Sequence, residues 1–172
     1  VTFATLRRVL CAGAPVRFDI LERMAGRLPE GAQVHTPFGA TESLPVATIG
    51  SDEVLSETAA LTREGRGICV GRPVKGAVVR IIRLTDDPIE NWSEDLVLPP
   101  GEMGEITVRG PMVTRAYWAR EEQTRLAKIR EGEAVVHRMG DVGYFDDQGR
   151  LWMCGRKSQR VRSAEGPIFP VP

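Results

Sequence analysis

The stretch Thr36-Pro37-Phe38-Gly39-Ala40-Thr41-Glu42 gathers side chains that could act together on one ligand. A glycine lets the backbone approach a ligand closely. The hydroxyl of Thr41 can donate to an anionic oxygen, and the carboxylate of Glu42 can hold a hard cation such as Mg²⁺, which prefers oxygen. Phe38 offers a flat face to a base. An aromatic ring, a glycine, a hydroxyl and an acid in one short loop suit a nucleoside triphosphate. The same residues also read as an ordinary polar loop that caps a helix, with Thr41 or Ser43 as the N-cap.

Two later stretches carry related chemistry. In His137-Arg138-Met139-Gly140-Asp141-Val142-Gly143-Tyr144, an acid flanked by glycines can turn two acceptor oxygens towards a diol such as that of ribose. The plain alternative is a tight Gly-Asp turn. In Gly155-Arg156-Lys157-Ser158, the planar, permanently charged fork of Arg156 suits phosphate and ribose oxygens. The plain alternative is a solvated basic loop.

These residues need elements to position them. Val9-Leu10-Cys11 reads as a short buried strand, stopped by Gly13-Ala14-Pro15. Phe18, Leu21, Met24, Ala25 and Leu28 then recur at helical spacing, up to the break at Pro29-Glu30-Gly31. Val34 to Thr36 reads as the next strand. Strand, helix, strand is a βαβ rhythm, which implies a parallel sheet covered by helices and ligands at the carboxyl ends of its strands. Gly13 and Thr36–Glu42 would then share a rim.

From Gly71-Arg72-Pro73, which reads as a turn, the pattern changes. Ala77–Leu84 and Gly104–Arg109 read as strands, the second half-buried, and Asp86–Pro100 as an acidic surface loop. Tyr117–Ile129 reads as a short helix. Val142–Phe145 and Leu151–Cys154 flank the turn Asp146-Asp147-Gln148-Gly149 as a hairpin. The fold class expected is α/β: residues 1–73 form part of a βαβ sheet layer and 74–155 a small antiparallel β-barrel, and from Arg156 the basic, polar text reads as a linker.

Composition narrows the choice of function. Lys+Arg and Asp+Glu are both 23, so the net charge is zero. That disfavours a nucleic-acid binder, which needs surplus cations, and a polybasic membrane anchor. No apolar run reaches the roughly 20 residues of a transmembrane helix, and no signal peptide is recognisable. The 3 cysteines are far apart and only 2 histidines are present, so structural zinc is not expected and a reducing cytoplasm is. Both ends read as cut from something longer. His35 is expected to be a core or rim histidine, His137 to face solvent, Trp118 and Trp152 to be core residues, and Asp86–Asp95 to be a solvated surface.

In order and separation, these blocks resemble the acyl-adenylate-forming (AMP-binding) superfamily of acyl- and aryl-CoA synthetases, peptide-synthetase adenylation domains and firefly luciferase. The resemblance runs from about Leu6 to Arg160. It takes in Gly13-Ala14-Pro15, Phe38-Gly39-Ala40-Thr41-Glu42, Gly71-Arg72-Pro73, Gly101-Glu102-Met103-Gly104-Glu105-Ile106, Val108-Arg109-Gly110-Pro111, Tyr117-Trp118, Met139-Gly140-Asp141 and Gly155-Arg156. It implies a part of the large N-terminal domain of such an enzyme, with ATP or AMP and Mg²⁺ as its ligands. Gly13 and Ala14 would supply backbone contacts to adenine, Gly39 and Ala40 would also bind the nucleotide, and Phe38, where the family usually has Tyr, would stack on adenine. Thr41 would bind the α-phosphate and Glu42 the metal. Asp141 would hold the ribose hydroxyls, Met153 would lie against the nucleoside, and Arg156 would reach ribose or phosphate. Ser158 would stand at the hinge, where Asp or Lys is usual, so that 156–172 would be the hinge and the start of the C-terminal domain. The family's phosphate loop and C-terminal lysine are not among these residues. The stretch alone is therefore expected to bind nucleotide poorly and to be inactive, and its full-length parent to do both tasks.

Thr36–Ala47, Ser51-Asp52-Glu53-Val54-Leu55 and Gly155–Val161 further resemble the branch that acts in bacterial long-chain olefin biosynthesis. This resemblance implies a 2-alkyl-3-hydroxy fatty acid substrate whose own hydroxyl closes on the activated carboxyl to a β-lactone. The alternatives are a fatty acyl-CoA ligase, which would use coenzyme A, and a degenerate nucleotide-binding module. Partners expected are the acid substrate and other enzymes of the same pathway, with no nucleic acid.

Overall fold

The computed structural model describes residues 2–163 and 166–169. The βαβ unit is present. Strand β1 (Arg8–Leu10) leads to helix α1 (Phe18–Ala25) and then to β2 (Gln33–Ala40), which pairs with β1 in parallel. Helix α1 forms because its apolar positions fall on one face. Phe18, Leu21 and Met24 pack with Leu28 on Val9 and Val34 in a shared cluster, with Leu21 almost wholly buried. The strand expected to be buried is an edge strand instead. Leu10 is 67% exposed and Cys11 is exposed, because only β2 pairs with β1 among the described residues.

The expected parallel sheet is confined to that one pair. Strand β2 runs on to Ala40 and turns tightly into β3 (Ser43–Gly50), with Ala40 opposite Ser43. Helices α2 (Ser51–Glu53) and α3 (Ala59–Arg63) follow, joined by a π-helical turn over Val54–Thr58. Strand β4 (Ile68–Pro73) then pairs with β3. Gly71-Arg72-Pro73, expected as a turn, therefore lies inside a strand.

The second unit is antiparallel, as expected. It comprises β5 (Val78–Ile82), β6 (Gly104–Arg109), helix α4 (Glu121–Ala127), β7 (Lys128–Glu131), β8 (Ala134–Phe145) and β9 (Leu151–Arg156). One sheet runs in the order β1-β2-β3-β4-β9-β8-β6-β5, with β7 alongside β8. Its curl is visible in the core. Val46 of β3, Val70 of β4, Ile81 of β5, Ile106 of β6 and Leu151 of β9 belong to one buried cluster, as in a barrel-like unit.

Three expectations in this unit are corrected. Strand β6 is buried at five of its six positions rather than alternating, because it sits between β5 and β8. The helix expected over Tyr117–Ile129 is limited to Glu121–Ala127, since Lys128 is extended and Ile129 pairs with Val136. The segment from Arg156 is not a free linker. It makes a 3₁₀ turn over Lys157–Gln159 that is hydrogen-bonded to Thr85 and Glu105, and then the hairpin β10 (Val161–Ser163) and β11 (Gly166–Ile168). Within the 156–172 segment, residues 164, 165 and 170–172 lie outside the described ones.

Strand β4 joins the two units through a bulge between Cys69 and Gly71. Gly71 has φ +84, a left-handed conformation, and a Cβ there would stand 2.0 Å from the carbonyl oxygen of Thr48. Gly71→Ala is therefore expected to destabilise the protein by about 3 kcal/mol or more, the sum of strain and a backbone clash. Urea unfolding checks this. An unchanged midpoint would mean that β3 and β4 can separate without loss.

Candidate nucleotide site

Two adjoining clefts open at the carboxyl end of β2. The first, of about 250 Å³, is lined by Ala14, Phe38, Asp141 and Met153. The second, of about 700 Å³, is lined by Ala40, Thr41, Glu42, Tyr117 and His137. Gly13, Pro37, Gly39 and Arg156 border both. The structure thus brings together ten expected positions: Gly13, Ala14, Phe38, Gly39, Ala40, Thr41, Glu42, Asp141, Met153 and Arg156. Ser158 is exposed in the 3₁₀ turn and borders neither cleft.

The stretch expected as a polar loop is a hairpin. Phe38 lies opposite Ala47 in the β2–β3 ladder, and Thr41 and Glu42 form the two-residue tip. The tip leads directly into strand β3, which begins at Ser43, so neither Thr41 nor Ser43 is an N-cap. Gly39 marks an irregularity between Phe38 and Ala40, where a Cβ would meet the carbonyl oxygen of Ser43 at 2.5 Å. The tip is clamped from the segment after β6. The Thr114 N–H donates to the Glu42 carbonyl at 2.8 Å, and the Tyr117 hydroxyl donates to Glu42 Oε1 at 2.7 Å. The Tyr117 bond holds the Glu42 carboxyl below its usual range, so Glu42 is an anion at neutral pH. Burial pushes the Tyr117 hydroxyl up to about 12, which keeps it a donor.

Asp141 sits inside β8 rather than in a turn, opposite Arg156 of β9. It is 3% exposed, and Arg156 Nε lies 3.0 Å from its Oδ1. That contact is coulombic, because no donor among the described residues hydrogen-bonds Oδ1. A buried carboxylate oxygen without a hydrogen bond is costly unless a ligand supplies the donor, and a ribose hydroxyl has the right chemistry. Burial pushes the Asp141 carboxyl up to about 6, with Arg156 opposing and Glu105 adding to the rise.

Mg²⁺ fits the chemistry of Glu42. The residue is an anionic carboxylate with acceptor capacity beyond the Tyr117 bond, next to the Thr41 hydroxyl. No group of three His, Cys, Asp or Glu converges among the described residues. One carboxylate with nucleotide phosphates and water is the usual arrangement for this ion.

Glu105 and Lys128 were assigned no role in the sequence. Glu105 is 1% exposed and pairs with Arg138 Nη2 at 2.6 Å and Lys157 Nζ at 3.1 Å. An acid within Gly-Glu-Ile of an apolar strand was the available signal, since buried charges must be paired. His137, expected to face solvent, is 3% exposed, with Nδ1 3.1 Å from the Ala127 carbonyl. Burial, and next the charge of Lys128, pushes it down to about 4, so it stays neutral. Lys128 is buried beside Tyr117, bonded to Thr114, and pushed down to about 8 by that burial. Trp118, expected in the core, is 96% exposed, because the turn before α4 leaves its side chain outside the sheet. Trp152 is buried, as expected, and donates to Asp146.

The site thus joins an open sheet edge, a buried acid beside an exposed arginine, and a clamped Thr-Glu tip. The match to known families is explicit: a family model described as AMP-binding enzyme covers residues 2–118, and the chain belongs to that family. It is 53% identical over 170 residues to the olefin beta-lactone synthetase of Stenotrophomonas maltophilia (strain K279a), covering 96% of this chain and 31% of the relative. It is 51% identical over 169 residues to the olefin beta-lactone synthetase of Xanthomonas campestris pv. campestris, covering 95% of this chain and 30% of the relative. The O-succinylbenzoate coenzyme A synthetase of Bacillus subtilis, solved in complex with ATP and magnesium ion, superposes with a TM-score of 0.69 at 25% identity, over 95% of this chain and 29% of that one. The chain therefore spans about a third of the length of the relatives it matches. No helix among the described residues is long and apolar enough to cross a membrane.

The raised Asp141 carboxyl has a stability consequence. Its folded value near 6 lies above the ordinary 3.8, so the folded state keeps the proton longer than the unfolded chain. Its contribution to folding is present at low pH and is lost as the pH rises from about 4 to about 6. Asp141→Asn should remove this slope, and the variant should melt above wild type at about pH 8 and gain nothing at about pH 4. Melting scans at both pH values test it. An equal difference at the two would contradict the assignment.

Proposed function

We propose that the full-length protein carrying this chain uses ATP and Mg²⁺ to activate a fatty-acid carboxylate as its acyl-adenylate, with release of pyrophosphate. We further infer that it closes a 2-alkyl-3-hydroxy acid to a β-lactone. The observation that carries the first step is the pair of clefts joined at Gly39 and Arg156, with a diol acceptor in one and a Thr-Glu tip in the other. The names of the two relatives above half identity support the second step.

In this reading Phe38 and Met153 flank the base, with Gly13 and Ala14 beside it. Asp141 accepts from the ribose hydroxyls, and Arg156 offsets its charge and reaches the adjoining phosphate. Thr41 donates to the α-phosphate as the substrate carboxylate attacks phosphorus and pyrophosphate departs. The tip is rigid because Thr114 and Tyr117 hold it, so the donor is in place before charge develops. Bound at Glu42, Mg²⁺ would supply charge neutralisation on the phosphates. The acyl carbon of the adenylate is then attacked by the substrate's own 3-hydroxyl, the bond to AMP breaks, and the hydroxyl proton passes to solvent or AMP. Ser158 serves as the hinge to the following domain, and the divisions 1–73, 74–155 and 156–172 mark the sheet layer, the β-barrel-like unit and the hinge segment. The setting is cytoplasmic, and enzymes of the same pathway supply the acid and take the lactone.

The test is AMP release from a 2-alkyl-3-hydroxy fatty acid with and without coenzyme A. Release without coenzyme A, with lactone formed, is expected. A strict requirement for coenzyme A would replace this reading with a fatty acyl-CoA ligase, and absence of pyrophosphate exchange with any fatty acid would leave only a nucleotide-binding module. Glu42→Gln should slow pyrophosphate exchange by about a hundredfold, the size typical of losing one preorganised charge contact. An unchanged rate would remove Glu42 from the metal role.

A further inference from the structure

Charge does not balance beneath the second cleft. Glu105 brings one negative charge, and Arg138 and Lys157 both bond to it. Arg138 is fully committed. A guanidinium has five N–H donors, and here there are five acceptor contacts. Nε and Nη2 donate to Glu105 Oε2, Nη2 also to the Thr85 carbonyl, and Nη1 to the carbonyls of Asp87 and Leu126. Its side chain is 2% exposed, so this group is a fixed strut.

Lys157 is held differently. Its side chain is 18% exposed, and it borders the same cleft as Thr41, Glu42 and Arg156. Its Nζ donates to the Thr85 carbonyl at 3.0 Å and to both Glu105 oxygens at 3.1 Å. Arg138 already serves that carbonyl and Oε2. Only Oε1 relies on Lys157, and Glu105 borders the cleft, where water can take the place of the ammonium. The other charges nearby are engaged elsewhere. Arg156 faces Asp141, Glu42 accepts from Tyr117, and Lys128 donates to Thr114. Lys157 is therefore the surplus cation of the cleft, on a flexible four-carbon stem with three rotatable donors.

We propose that Lys157 is a phosphate-binding residue, which exchanges its bond to Glu105 for the phosphate oxygens of a nucleotide lying across Thr41 and Arg156. This rests on the nucleotide reading of the two clefts and adds a ligand that the sequence motifs do not assign. Arg138 alone then neutralises Glu105, so the exchange leaves no unpaired buried charge.

Calorimetric titration of the full-length protein with adenosine, AMP and Mg-ATP tests it. Lys157→Met, which keeps the apolar stem, should weaken AMP and ATP by about tenfold, the worth of one charge-assisted hydrogen bond, and leave adenosine unchanged. Lys157→Arg should recover most of the AMP affinity, and added salt should narrow the gap between wild type and Lys157→Met. Equal weakening of adenosine and AMP would make Lys157 a scaffold residue and overturn the proposal, as would unchanged AMP affinity. Wild-type protein that binds none of the three would overturn the nucleotide reading itself along with it, a result distinct from a loss confined to the variant.

Discussion

A carboxylate at 1% exposure must be paired, and the pairing of Glu105 fixes much of what surrounds the site. Through Arg138 it ties β6 to β8, to the carbonyls of Thr85 and Asp87, and to the end of α4 at Leu126. Through Lys157 it ties in the turn that follows β9. Asp141 lies three residues beyond Arg138, and Arg156 is the neighbour of Lys157. The ion pair of the first cleft therefore hangs from the two segments that Glu105 holds. Apolar side chains of the same volume would have packed as well, but without directional bonds they would not have set the positions of Asp141 and Arg156 so closely.

A second constraint is close backbone approach. The β2–β3 hairpin brings Thr41 and Glu42 to the cleft only because Gly39 lacks a Cβ where the Ser43 carbonyl passes. Gly71 performs the same service where β3 and β4 meet. The glycines of the motifs are thus explained by the sheet as much as by a ligand. The clamp from Thr114 and Tyr117 then gives the exposed tip a fixed orientation, which a solvated loop of the same sequence would lack.

Much of this was legible in the residues. The helical spacing of Phe18, Leu21 and Met24, the turn at Asp146–Gly149 and the β-rich text after residue 77 are local signals, and they gave α1, the β8–β9 hairpin and the antiparallel unit. The order of the motif blocks pointed to the family that residues 2–118 match. Less legible were Gly71-Arg72-Pro73 and the Thr36–Ala40 stretch, where glycine and proline normally mark turns, and tertiary pairing made strands of them instead. Position within the sheet likewise decided that β1 is an edge and β6 a centre.

By itself the sequence determined which chemical groups are available: an acid, a hydroxyl, a ring and an arginine in motif order, with the helix and strands that local periodicity requires. Only the tertiary structure decided their states and partners. His137 and Trp118 exchanged the environments their types suggest, one buried and neutral, the other exposed. Asp141 acquired its raised proton affinity from burial, and Glu42 its lowered one from Tyr117, 75 residues away. The reason is physical. Periodicity is set by neighbours along the chain, whereas desolvation and charge pairing depend on which distant segments the fold places within a few ångströms.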